Sequence, residues 1–183
     1  MTTVLIPLAD GFEEIEAVVS IDVLRRAGLN VITVGLESRT VDGAHGIALT
    51  ADKVWQEVAG ITPDVLVLPG GMPGSKNLGK HRGLQETAKR IAAANGWLTA
   101  ICAAPAFTLA NWGLLTGRQA TCYPGCETDF PKGVKYVKDS VVVDGRFLTA
   151  AGPGAAFPFA FTLVENLLNK ATAENLKGQM QYR

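Results

Sequence analysis

Three stretches of this chain carry no charged side chain and alternate with segments of helical period. They are TVLIPLA (Thr3–Ala9), VLVLPGG (65–71) and WLTAI (Trp97–Ile101). A strand apolar on both faces must be covered on both faces, and helices between such strands supply the cover. EEIEAVVSIDVLRRAG (Glu13–Gly28) reads as one of these helices, with acids in its first turn, Arg25 and Arg26 in its last and Gly28 as its stop. GLQETAKRIAAANG (83–96), AAPAFTLANW (103–112), GAAFPFAFTLVENLLN (154–169) and TAENLKGQM (172–180) read the same way. Asn30–Leu36 is a β-branched strand, GIALTAD (46–52) a short one, and 134–152 two or three strands around an Asp144-Gly145 hairpin turn. The order predicts an α/β, flavodoxin-like three-layer sandwich with a mostly parallel central sheet. No linker, repeat or low-complexity stretch divides it, so residues 1–183 are expected to form one domain.

Composition narrows the function classes. Seventeen basic and seventeen acidic residues balance, and no basic run offers a footprint for nucleic acid or an anionic membrane. Residues 91–117 are uncharged and long enough to span a bilayer, but Asn95, Gly96, Pro105, Asn111, Gly113 and Gly117 interrupt them, so no membrane span is expected. Three cysteines and an N-terminus without a basic, signal-like start predict a reducing, cytoplasmic setting without a disulfide framework.

In open parallel sheets, ligands bind at the carboxyl ends of the strands. Three chemically distinctive segments fall there: GFEEIEA (11–17), Gly70-Gly71 and Cys102. A cysteine at a strand-to-helix turn meets free N–H groups and a positive partial charge, both of which favour thiolate. The same pattern fits a buried structural cysteine, and the pattern alone leaves the two readings open. Gly70-Gly71 suits an oxyanion hole or a plain tight turn. Glu14 is expected to cap its helix. Glu16 shares a face with Phe12 and Val19, and an apolar setting would keep its carboxyl protonated, ready to donate to a thiolate or to act as general acid and base. Cys122 and Cys126 have the wrong spacing for a zinc knuckle, and His45 and His81 stand alone, so no metal is expected.

GFEEIEA, DVLRRAGLNV, DVLVLPGG, AICAAP and GPGAAFPFAFTLVE follow one another in the order and at the spacing of a known family. On these motifs the chain resembles the ThiJ/PfpI family, in the branch of the parkinsonism-associated protein deglycases and their bacterial relatives. The resemblance implies a homodimer in which Cys102 is the reactive elbow cysteine and Glu16 the protonated carboxyl bonded to it. It implies Gly70, Gly71 and the Ala103 backbone as donors around a substrate oxygen, with Pro153 closing the pocket wall. Glu13, Asp22, Arg26 and His45 match the family's interface positions, His45 standing where relatives often carry arginine. Many relatives also hold a histidine beside the cysteine. Here ATCYPG places Tyr123 there, which disfavours a peptidase-like triad and leaves a phenol hydroxyl for an oxyanion.

The activity so implied is cofactor-independent conversion of methylglyoxal, or of glyoxal adducts of proteins, to hydroxy acids. The alternatives are a redox sensor or redox-regulated chaperone, a cysteine amidase or peptidase-like hydrolase, and a binding module with an incidental cysteine.

Overall fold

The computed structural model describes residues 1–183. The chain runs β1 (Thr3–Leu8), α1 (Glu14–Arg26), β2 (Asn30–Gly35), a hairpin of β3 (Thr40–Asp42) and β4 (Ala48–Thr50), β5 (Lys53–Val54), β6 (Val65–Leu68), α2 (Gly74–Lys80), α3 (Arg82–Ala93) and β7 (Trp97–Ile101). It continues through a π-helical segment (Pro105–Ala110), β8 (Gln119–Ala120), β9 (Lys135–Tyr136), the hairpin β10 (Val141–Asp144) and β11 (Phe147–Ala150), α4 (Ala156–Leu167) and α5 (Lys170–Gln179).

Seven strands form the central sheet in the order β10-β11-β7-β6-β1-β2-β5, parallel except for the β10–β11 hairpin. The strand period of two explains why the central strands read as unbroken apolar runs. In β1, Val4, Ile6 and Leu8 face a core shared with α1, α4 and α5, while Leu5 faces the core shared with α3 and the π-helical segment. Both sets are fully buried. The flavodoxin-like expectation holds in architecture and in the position of the Asp144-Gly145 turn. No helix is long and apolar enough to cross a membrane, and the uncharged stretch 91–117 is divided among the end of α3, β7 and the π-helical segment.

Three local differences from the sequence expectation have physical reasons. The helix after β7 is π-wound over Pro105–Ala110 and starts at Pro105, which has no N–H to give; an α-type bond from Phe107 N–H to Ala103 O at 3.0 Å leads into it, and a π-type bond from Leu114 N–H to Leu109 O at 3.1 Å follows it. α3 begins at Arg82 because His81 caps it, Nδ1 accepting from Leu84 N–H at 3.1 Å. α2 gives no periodic signal because GSKNLGK has a glycine near each end; tertiary bonds hold it, Thr108 Oγ1 donating to Ser75 O at 3.0 Å.

Candidate active site

β7 ends at Ile101, and the chain turns sharply at Cys102, whose φ of 64° is left-handed, a region costly for a residue with a Cβ. Two bonds hold the turn: Cys102 N–H donates to Ala150 O at the end of β11, and Tyr123 N–H donates to Cys102 O, both at 2.8 Å. The sulfur-bearing residue is thus clamped between two neighbouring segments and is 8% exposed.

α1 delivers the partner. Glu13 caps this helix, its Oε2 accepting from Glu16 N–H at 2.8 Å, and Glu16 one turn in is fully buried. Glu16 Oε2 accepts from Gly70 N–H at 2.8 Å. Oε1 is buried with no hydrogen-bond partner, and the carboxyl and the Cys102 thiol are close enough to shift each other's titration. Gly70 makes the approach possible. A methyl built there would lie 2.5 Å from Cys102 Cβ and 2.6 Å from Glu16 Oε2. Gly71 needs its own φ of 88° and lies against the Gly11–Glu13 backbone.

Burial pushes the Glu16 carboxyl up to about 8, against the Gly70 N–H and with help from the charge on Glu13. Burial also raises the Cys102 thiol, and so does Glu16 when ionised; the Gly71 and Ala103 N–H groups pull the other way. Removing a second proton from this pair would place two negative charges together in a desolvated pocket. The pair therefore gives up one proton near pH 8 and holds the second tightly, and in that singly deprotonated form carboxyl and sulfur compete for the proton that remains. This modifies the expectation of a thiolate favoured by the helix terminus alone, because burial outweighs the backbone donors unless Glu16 keeps its proton.

The structure brings together Cys102, Glu16, Gly70, Gly71 and Ala103. It corrects the role expected for Gly70, whose N–H is committed to Glu16 and is no free donor for a substrate oxygen; Gly71 and Ala103 donate toward the sulfur. Tyr123 and Pro153 lie on the rim and line one hollow. Tyr123 is 49% exposed and turns its ring edge toward Gly152. Neither histidine completes a cysteine–histidine pair. His81 caps α3 and packs edge-on against Trp55 at 4.7 Å, and His45 bonds Glu14.

The Glu14 expectation also fails, since Glu13 is the cap. Glu14 reaches instead to the β3–β4 hairpin. Oε1 accepts from His45 N–H at 2.6 Å, and Oε2 meets His45 Nδ1 at 2.8 Å. No sequence pattern announces a contact spanning 31 positions. Asp22 and Arg26 pair with each other at 2.9 Å on the exposed side of α1. One ligand atom from each of Glu13, Glu14 and His45 lies within 4.8 Å of the others, a spacing suited to a metal ion, but Glu14 and Glu13 already accept protein hydrogen bonds there. Cys122 is fully buried and burial pushes its thiol up to about 12; Cys126 is raised for the same reason.

A strained cysteine at a strand end, facing a buried carboxyl across a glycine pair on a doubly covered parallel sheet, defines a class of cysteine–carboxyl sites. The DJ-1/PfpI family matches residues 2–166, and the chain belongs to that family. It is 40% identical over 181 residues to Protein DJ-1 homolog B of Arabidopsis thaliana, covering 98% of this chain but 41% of that protein, so it spans less than half of that relative's length. It is 37% identical over 164 residues to the Caenorhabditis elegans protein named glutathione-independent glyoxalase DJR-1.2, covering 90% of this chain and 87% of the other. The solved structure of Toxoplasma gondii DJ-1, in an oxidised form, superposes with a TM-score of 0.96 at 37% identity, covering 100% of this chain and 99% of that one.

Proposed function

We propose that the protein is a glutathione-independent glyoxalase with deglycase-like reach, acting on methylglyoxal or on early glyoxal adducts of proteins. The observation that carries this reading is the Glu16 carboxyl, buried beside Cys102 and poised near pH 8. The reacting form of the pair has released one proton to solvent and keeps the other on Glu16: the Cys102 thiolate adds to the aldehyde carbon, and the resulting oxyanion takes the Glu16 proton to give a hemithioacetal. The Gly71 and Ala103 N–H groups hold that oxygen as charge develops. Glu16, now a carboxylate, removes the hydrogen from the former aldehyde carbon, and the enediol so formed is reprotonated on the neighbouring carbon. The product is a thioester on Cys102. Water cleaves it to the hydroxy acid and restores the thiol. Carbon is oxidised at one position and reduced at the next, so no outside oxidant or reductant enters. The relative named a glyoxalase supports this reading. Purified protein with methylglyoxal and no glutathione should form lactate, and Cys102→Ser should reduce the rate to the buffer blank. Lactate formation by the serine variant equal to wild type, or none by either, contradicts it.

A second reading, redox sensing, uses the same atoms. Glu16 Oε1 is buried and unpartnered, and with the nearby amides it suits a cysteine sulfinate once Cys102 has lost two oxygen equivalents' worth of electrons to peroxide. Mild peroxide should then add two oxygens to Cys102 before Cys122 or Cys126 reacts; equal oxidation of all three contradicts it. Whichever reading holds, Ile15 and Val18 on α1 and Ile47 on the β3–β4 hairpin are exposed apolar residues flanking the Glu14–His45 contact, and we propose that they pair two copies. Sedimentation of the protein as a monomer at micromolar concentration would contradict pairing.

A further inference from the structure

Beside Cys102 lies a hollow of about 390 Å³ whose walls continue the two segments that clamp the cysteine. Tyr123 and Pro124 line it together with Ala151, Pro153, Pro158 and Ser140. The Tyr123 phenol is the sole ionisable side chain of this lining. Its backbone is tied to the cysteine and its ring lies beside Gly152. The backbone N–H is bonded to Cys102 O at 2.8 Å, and a methyl built on Gly152 would lie 3.2 Å from Tyr123 Cδ2. The residue is 49% exposed, so the side chain is half open to solvent. Beyond Pro124 and Ser140 the surface changes character: the adjoining hollow carries Glu127, Lys138 and Asp139. A short uncharged trench therefore borders the segments that clamp Cys102 and adjoins a surface of two acids and one lysine.

We infer that this trench holds the tail of the α-oxoaldehyde, and that Tyr123 selects flat, uncharged, apolar tails over the single methyl of methylglyoxal and over anionic tails. The inference rests on the glyoxalase reading and narrows its substrate. An aromatic tail seated on the Tyr123 ring gains offset stacking, whereas a methyl gains almost none. A carboxylate-bearing tail would lose solvent against prolines and alanines and meet two carboxylates, Glu127 and Asp139, against the single ammonium of Lys138 at the far end.

The test compares hydroxy-acid formation from methylglyoxal, phenylglyoxal and 4-carboxyphenylglyoxal by wild type, Tyr123→Phe and Tyr123→Ala. The ratio of kcat/KM for phenylglyoxal over methylglyoxal should fall about threefold to tenfold in Tyr123→Ala and be retained in Tyr123→Phe. The carboxylated substrate should be the poorest of the aryl pair. A ratio unchanged in Tyr123→Ala, or equal use of both aryl substrates, overturns the inference. A parallel arm needs no turnover: the rate of Cys102 alkylation by N-phenylmaleimide relative to N-ethylmaleimide, read by peptide mass. The same fall is expected in Tyr123→Ala. Selective labelling that depends on Tyr123, with no hydroxy acid from any substrate, would refute the glyoxalase reading and support the trench. A labelling ratio indifferent to Tyr123 would refute the trench whatever the turnover.

Discussion

Glu14 and Glu16 sit two residues apart at the start of one helix, both almost excluded from solvent, and they behave in opposite ways. Burial pushes both carboxyls up. At Glu14 it is outweighed by the His45 side chain and by backbone N–H donors, including those of His45 and Ile47, and the group falls to about 2. Glu16 has the Gly70 N–H on one oxygen and no nitrogen or oxygen donor on the other, and it rises to about 8. Burial alone therefore does not decide a carboxyl's charge; the number of donors aimed at it does. The first acid is a fixed negative anchor for a hairpin. The second is a proton reservoir for a sulfur.

The largest expected effect comes from removing the reservoir. Glu16→Gln should lower kcat/KM for methylglyoxal by about 10²- to 10⁴-fold, the range for a lost general acid and base. Its stability should change in the opposite sense. Between pH 4.5 and about 8 the native state holds a proton that the unfolded chain has released, so wild-type stability falls as pH rises through this window and levels off above it. Glu16→Gln removes that dependence and should unfold at higher urea than wild type at pH 8, by about 1–3 kcal/mol after the weaker amide hydrogen bond is allowed for. A variant less stable than wild type at pH 8 would break the contrast with Glu14.

The anchor should behave in the reverse way. Glu14→Ala leaves the backbone donors of His45 and Ile47 without their acceptor and should cost about 1–3 kcal/mol at pH 7, with activity changed far less than in Glu16→Gln. The Glu14 contribution is present above pH 4.5 and is lost as pH falls toward 2. His45 gives the smallest effect. Its pKa is raised by the hydrogen bond to Glu14, so its part is complete below pH 6.5 and disappears as pH rises through its folded value. Urea titrations of His45→Ala across pH 5 to 9 should converge with wild type at the alkaline end. A constant gap would show that the ring's charge contributes nothing.

The sheet was legible because strands buried on both faces must be written in apolar residues, and Val65–Leu68 and Trp97–Ile101 leave no alternative period. The pairing of Glu16 with Cys102 was legible because each stood at the carboxyl end of a strand and the family's motifs joined them. What escaped depended on contacts between distant segments. Gly70 looked like a free donor because nothing in VLPGG states that its N–H is taken by a carboxyl 54 positions earlier. Glu14 looked like a cap because the cap position is fixed by backbone geometry one residue before it, and its bond to His45 depends on where the hairpin folds. His81 looked isolated because capping by an imidazole has no spacing signature.

The central claim is that the Cys102–Glu16 pair gives up one proton near pH 8 and shares the one that remains. Infrared difference spectra across pH 5 to 10, recorded on wild type and on Glu16→Gln, follow the carboxyl C=O band of protonated Glu16 directly. The account predicts a protonated-carboxyl band that persists above pH 7, titrates near 8 and is missing from Glu16→Gln. A band already lost by pH 5 would show that Glu16 is an ordinary ionised acid, and the proton-sharing mechanism would fall with it.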